Sequence, residues 1–233
     1  QYCLPNSEMS SYQRESHIRT RNQKVVGIGI ELNPPCSEPE DFRNLFDLQD
    51  DPYLIYVGRL DPMKGVKQLC EFFIELKNQY PSSLKLVLAG DPMVELPEHE
   101  DIVITGFLEE SMKHAAIKGS LALVQSSYFE SFSIVLCEAW VQKRPALVQG
   151  ASTVLRGQAM RSNGAIPYEG YAEFEQAVMM LLEDPDLADE MGASGRSYVE
   201  QQYEWKNVIG NVESTLEIAK AQFKKRSIML SRG

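Results

Sequence analysis

The sequence predicts an α/β protein built on an open, doubly wound, mostly parallel sheet. Three observations carry that prediction. From residue 53 onward, short apolar runs rich in β-formers alternate about six times with segments of helical periodicity. The runs are as short as buried strands. Loops that carry glycine and polar residues follow their carboxyl ends, as in Gly58, Gly90-Asp91-Pro92 and Gly106.

The elements follow in order. Residues 53–58 (YLIYVG) form the first predicted strand, after Asp50-Asp51-Pro52. Residues 66–77 form a helix, with Val66, Leu69, Cys70 and Phe73 on one face. Strands at 84–89 and 102–105 come next, then a helix at 109–118 and a fourth strand at 121–125. An apolar helix over 132–142, a strand at 146–149, a short helix and a strand at 165–168 continue the alternation. Amphipathic helices from Tyr171 and Leu187 complete it.

The flanks differ in character. Residues 1–24 carry Arg14, Arg19, Arg21 and Lys24, and the following VVGIGI has the pattern of a lone strand. Residues 31–51 are acidic and contain Pro34, Pro35 and Pro39, which predicts a linker. The tail after Trp205 is a helical pattern that ends in Lys224-Lys225-Arg226.

Composition narrows the functions available. Lys and Arg total 23 against 33 Asp and Glu, a formal net charge of −10, which argues against coating nucleic acid or anionic lipid through bulk charge. With 43% hydrophobic and 24% charged residues the chain has ordinary globular composition, and no apolar run is long enough to span a bilayer. Cys3, Cys36, Cys70 and Cys137 lie far apart with no CxxC, so reduced cytosolic thiols are expected, not a zinc site or a disulfide framework.

In sheets of this kind ligands sit outside the carboxyl ends of the strands. The loop Gly58-Arg59-Leu60-Asp61-Pro62-Met63-Lys64-Gly65 places two cations there, just before a helix amino terminus. That combination suits a phosphate or diphosphate. Spacing alone leaves a solvated basic loop equally open. The loop is not a Walker A sequence, because Lys64 is followed by Gly65 and not by a hydroxyl residue.

The stretch SSYFESFSIVLCEAW holds two carboxylates, Glu130 before or in the first turn of a helix and Glu138 inside it. Glu138 has apolar helical neighbours and needs a bonded partner, either a lysine or backbone amide, or the paired hydroxyls of a ribose. On an ideal helix the two glutamates would stand about 12 Å apart. That is too far for one acid–base pair, but it matches two ends of an extended ligand.

YLIYVGRLDPMKGVKQL, LKLVLAGD, IVITGFLEE and above all YFESFSIVLCEA resemble the C-terminal donor-binding half of family 4 retaining glycosyltransferases, two-domain enzymes of the GT-B fold. Glu130 and Glu138 match the glutamates of that family's E-x7-E motif. The resemblance implies a Rossmann-like nucleotide-sugar domain over 46–204. Before it lie a remnant of the first domain and a linker at 1–45, and after it a crossover helix and tail at 205–233. It implies that Arg59 and Lys64 neutralise the donor diphosphate, with Gly58 beside them. Glu138 would hold the ribose hydroxyls and Glu130 the transferred sugar. The backbone at Phe132, Ser133 and Ile134 would bind phosphate or sugar, and Thr105, Gly106 and Phe107 would line the nucleobase pocket. Serines at 131 and 133 replace glycines common in that family, and GASTVLRG replaces its double-glycine loop.

The implied reaction transfers a hexosyl group from a nucleoside diphosphate sugar to a sugar, lipid or small-molecule acceptor. No metal or other cofactor and no nucleic acid is expected. The acceptor would be held mainly by a first domain outside these residues, so the 233-residue chain is expected to bind donor but transfer poorly. A cytoplasmic location is expected, with room for peripheral association at the membrane face. A nucleotide-sugar epimerase of the same fold and a non-catalytic nucleotide-binding domain are the alternatives.

Weaker candidates remain. Lys143, Arg144, Arg156 and Arg161 form an acid-free basic stretch that is either an anion site or, more often, a solvated surface. His17, His99 and His114 have no nucleophile partner and are expected at the surface. Gly27-Ile28-Gly29 imitates the start of a dinucleotide fingerprint but lacks its third glycine and its helix.

Overall fold

The structure is a computed structural model and describes residues 26–230, with side chains up to Ala221 and at Phe223. The basic stretch 1–24, His17, Cys3 and the side chains of Lys224-Lys225-Arg226 lie outside the described residues. The chain forms two compact units. Leu32–Val199 is the larger, and the other combines the segment ending at Glu31 with the segment starting at Glu200.

The larger unit is built on a six-stranded sheet. Its strands are β1 (Tyr53–Val57), β2 (Lys85–Ala89), β3 (Ile102–Ile104), β4 (Ala122–Gln125), β5 (Ala146–Gln149) and β6 (Ala165–Tyr168), in the order β3-β2-β1-β4-β5-β6. Every pairing is parallel. This is the doubly wound, Rossmann-like arrangement expected from the sequence, and the strand order reverses between β1 and β4. Pro167 sits in β6, an edge strand, where its missing N–H breaks no ladder.

The helices between the strands are α2 (Val66–Gln79), α3 (Glu110–Lys118), α4 (Ile134–Val141) and α5 (Thr153–Ser162). They are followed by α6 (Tyr171–Glu183) and α7 (Pro185–Tyr203). Leu69 and Phe73 of α2 and Phe174 and Val178 of α6 pack with Leu54, Leu86 and Val124 of the sheet in one apolar cluster. Each such fully buried side chain contributes about 1.5–3 kcal/mol. Across the sheet from this cluster, Trp140 of α4 is fully buried and donates its indole N–H to Gly164 O at 2.8 Å.

Two expectations need correction. The acidic stretch 31–51 carries a helix, α1 (Pro39–Leu45), with proline in its first turn, where it costs no hydrogen bond. Phe42 and Leu48 are completely buried, and the Arg43 guanidinium donates to Gly119 O at 2.9 Å. These tertiary contacts make the segment part of the larger unit. The second correction concerns VVGIGI. Within its described residues only Ile30 makes a β-bridge, to Glu204, so a strand is not formed.

In the smaller unit, α8 (Trp205–Leu230) follows that bridge. A Cβ at Gly29 would lie 2.3 Å from the Trp205 indole, so this glycine permits close ring packing.

Candidate functional site

The site lies where β1, β2 and β4 end. Gly65 adopts φ 69°, and a Cβ there would come within 2.4 Å of Ser126 O. Glycine is thus required both by the backbone and by the approach to β4. Ser126 donates its hydroxyl to Lys64 O at 2.8 Å, which ties the β1 loop to the end of β4. Tyr56, which sequence reasoning passed over, donates its phenol to Arg59 O at 3.0 Å and braces the same loop from below. Burial, then the carboxylates of Asp61 and Glu130, push that phenol well above its ordinary range. The hydroxyl therefore stays protonated as a donor.

This clamp brings Lys64 to Glu130, 66 residues away, at an Nζ–Oε1 distance of 2.6 Å. Both side chains are largely shielded from water. Arg59 extends outward instead, 74% exposed and 3.7 Å from Asp61. Glu130 belongs to the loop, because α4 begins only at Ile134. Ser133 ends the loop in the left-handed region at φ 67°, which a helix cannot continue. The helical spacing of about 12 Å expected between the two glutamates therefore does not apply.

The Phe132–Ser133 turn is anchored from beneath. Gln158 donates to Phe132 O at 2.5 Å, and Gln125 donates to Ser133 Oγ at 3.1 Å. Both glutamines are buried, and neither was singled out from the sequence. The Ser133 hydroxyl makes no cap bond to α4. The first amides of this helix have no intrahelical partner by construction, and they follow directly on Phe132, Ser133 and Ile134.

A cleft of about 410 Å³ opens beside the carboxyl ends of β1 and β2, and its lining includes Gly58, Arg59, Asp91, Phe107, Leu108 and Lys113. Phe107 is 77% exposed. Thr105 and Gly106 hold the approach to it. Thr105 donates its amide to Leu88 O at 3.1 Å, and Gly106 turns at φ 70° beside Asp91.

Glu138 reaches this region through Lys113. The Lys113 ammonium donates to Glu138 Oε1 at 2.8 Å and to both oxygens of Glu110 at 3.1 Å. Bonding to Lys113 outweighs the opposing effect of burial and, with His114, holds the Glu110 carboxyl below its usual range. His114 is buried, contrary to the surface position expected for it, and its Nε2 lies 3.0 Å from Glu110 Oε1. Glu110, His114 and Glu138 present ligand atoms within 4.8 Å of one another, a spacing a metal ion could use. The Lys113 ammonium is already bonded to both carboxylates of that set.

Three cations of the basic stretch make contacts at the exposed surface. Arg144 donates to Lys118 O at 2.7 Å, Arg156 pairs with Glu169 at 3.1 Å, and Arg161 donates to the Tyr198 hydroxyl at 3.0 Å. No helix of the described residues is long and apolar enough to cross a membrane.

Residues 37–198 match the family model of glycosyl transferases group 1. Over 162 residues the chain is 28% identical to an alpha-D-kanosaminyltransferase of Streptomyces kanamyceticus, covering 65% of this chain and 42% of that protein. Over 215 residues it is 28% identical to the putative glycosyltransferase EpsD of Bacillus subtilis, covering 83% of this chain and 55% of that protein. The chain spans about half the length of the curated relatives it matches. Among solved structures it resembles Anabaena Alr3699/HepE in complex with UDP and glucose, with a TM-score of 0.73 at 17% identity over 91% of this chain and 61% of that one. The sucrose-phosphate synthase of Thermosynechococcus elongatus gives a TM-score of 0.70 at 19% identity over 97% and 58%.

Proposed function

The chain belongs to the group 1 glycosyl transferases, and from that premise we propose that it is the donor-binding half of a GT-B enzyme. In this reading it transfers a hexosyl group from a nucleoside diphosphate sugar. The observation that carries the proposal is the cleft outside β1 and β2, with Arg59 on its wall and the Lys64–Glu130 pair fixed to the same β1 loop. That Anabaena HepE is seen with UDP and glucose supports the same ligand class.

Each residue then has a task. Phe107 and the backbone at Thr105 and Gly106 face the nucleobase, and Glu138 faces the ribose. Arg59, Lys64 and the amino end of α4 surround the diphosphate, with Glu130 on the transferred sugar. Fixed positive groups aimed at a departing diphosphate stabilise the charge that develops there as the glycosidic bond breaks. These cations make the reaction metal-independent in this proposal. The finer assignment is to the family 4 retaining enzymes, with Glu130 and Glu138 as the E-x7-E pair. In the front-face course, the diphosphate leaves with the bonding electrons of the anomeric carbon. The acceptor oxygen bonds on the same face and passes its proton to the departing diphosphate.

We place the acceptor's site mainly in sequence outside these 233 residues, and we place the enzyme in the cytoplasm, free or peripheral to the membrane. Donor consumption with and without the remaining half tests this. The pair should release nucleotide only with acceptor and keep the donor's anomeric configuration, while the 233-residue chain alone should transfer little. Robust transfer by the chain alone, or release of nucleotide independent of acceptor, contradicts it.

A further inference from the structure

We propose that Gln158 is a positioning residue for the diphosphate seat. It fixes the direction of the Phe132–Ser133 peptide, so that the Ser133 N–H is held out as a donor to the bound phosphate. This rests on the reading of the amino end of α4 as part of that seat. It goes beyond that reading by naming the buried side chain that sets which end of the peptide the ligand meets.

The 132–133 peptide is trans, so its carbonyl and its N–H point in opposite directions. The Gln158 amide, fully buried on α5, donates to Phe132 O at 2.5 Å. The carbonyl is therefore turned into the protein, and the Ser133 N–H points away from Gln158. That N–H bonds to no acceptor among the described residues. The backbone alone favours the reverse. Ser133 sits at φ 67°, a region that residues with a side chain seldom occupy outside functional turns. Turning the peptide over would carry this φ out of the positive range and into the one serine prefers. It would also present the Phe132 carbonyl oxygen where the N–H had been, and that oxygen repels a phosphate. Gln158 opposes the turn. To follow it, the side chain would have to offer its oxygen to the N–H and leave its NH2 enclosed without a partner. Buried donors are left unpaired less often than carbonyl oxygens. As the side chain stands, it is Gln158 Oε1 that has no partner among the described residues. Gln125 adds a second restraint by donating to Ser133 Oγ at 3.1 Å.

Calorimetric titration of the 233-residue chain with UDP, GDP and ADP, and with their parent nucleosides, tests this. Q158M fills similar space without a donor. It should weaken diphosphate binding about tenfold and leave nucleoside binding within about twofold. Glycine occupies positive φ without strain, so in an S133G background Q158M should cost only about threefold. M160A, at an exposed position of the same helix, should change neither affinity. Should Q158M fail to fold, the Ser133 amide resonance of the isotope-labelled, unsubstituted chain gives a second reading. It should move on adding the diphosphate and stay in place on adding the nucleoside. Unchanged diphosphate affinity in Q158M, or an equal loss for nucleoside and diphosphate, overturns the role of Gln158 and leaves the donor site standing. So does an undiminished loss in the S133G background, or a Ser133 resonance that does not move. Failure of the unsubstituted chain to bind any of these nucleotides overturns the donor site and this role together.

Discussion

The Lys64 ammonium lies 2.6 Å from Glu130 Oε1, so a cation suited to a diphosphate is paired with a carboxylate suited to a sugar. The pair is partly shielded from water, where opposite charges attract more strongly than at an open surface. In the proposed donor site, a diphosphate arriving at Lys64 would compete with Glu130 and free that carboxylate to face the sugar. In that proposal, occupancy of the phosphate seat and readiness of Glu130 are thereby coupled.

Glu130→Gln separates the two effects. With the competing charge removed, affinity for nucleoside diphosphate should stay level or tighten by about threefold. Transfer by the complete enzyme should fall by about 10²–10³-fold, the usual cost of removing a preorganised electrostatic group. Paired binding and turnover measurements check this, and unchanged turnover speaks against a catalytic Glu130.

Ser133 holds a backbone conformation that favours glycine, at φ 67°, while its hydroxyl accepts from the buried Gln125. Ser133→Ala keeps the strained backbone and leaves that amide unpartnered, at a cost of about 1–3 kcal/mol. Ser133→Gly also loses the bond but relieves the strain, so it should be the milder change by about 1 kcal/mol. Urea denaturation of both variants tests the order.

Gly195 of α7 stands against Trp140, and a Cβ there would lie 2.2 Å from the indole. Trp140 is fully buried and held by Gly164 O. Gly195→Ala should destabilise the larger unit by on the order of 3 kcal/mol, as overpacking does in a dense core. A denaturation midpoint equal to that of the unsubstituted chain contradicts this packing.

Asp101 joins the α2 and β2 lysines, with Lys77 at 2.9 Å and Lys85 at 3.1 Å. Burial pushes its carboxyl up, but hydrogen bonds from Lys77 and Lys85 outweigh it, and the folded value lies below the ordinary 3.8. A carboxyl lowered by folding stabilises above its unfolded value and loses that contribution as pH falls through the folded one. Asp101→Asn should therefore lower stability near neutrality and flatten its decline below about pH 4. Denaturation midpoints across that range give the slope.

The sheet was legible because its strands are compact apolar runs; β2, β4, β5 and β6 end at the residues expected from the sequence. Helix α1 was not, because Phe42 is its one buried residue, and that burial depends on tertiary contacts. VVGIGI has strand propensity, yet a strand needs a paired neighbour, and among its described residues only Ile30 finds a bridge. In the site, Arg59, Lys64, Glu130 and Glu138 stood out as charges at strand ends or on an apolar helix. Lys113 did not, because with Glu110 three residues earlier it looks like an ordinary exposed helix pair. Its decisive partner, Glu138, is 25 residues away in sequence. Gln125 and Gln158 carry no local signal, since their role comes from bonds to the Phe132–Ser133 turn.

The central claim is a nucleoside diphosphate seat at Arg59 and Lys64, and calorimetric titration of the 233-residue chain and its Lys64→Ala variant with UDP, GDP and ADP tests it most directly. At least one of these should bind, and Lys64→Ala should weaken it by about 10–100-fold, the equivalent of one charge-assisted hydrogen bond of about 1.5–3 kcal/mol. The parent nucleoside, which lacks the phosphates, should bind both proteins alike. Equal diphosphate affinity in the two proteins, or no binding of any of the three by the unsubstituted chain, contradicts the account.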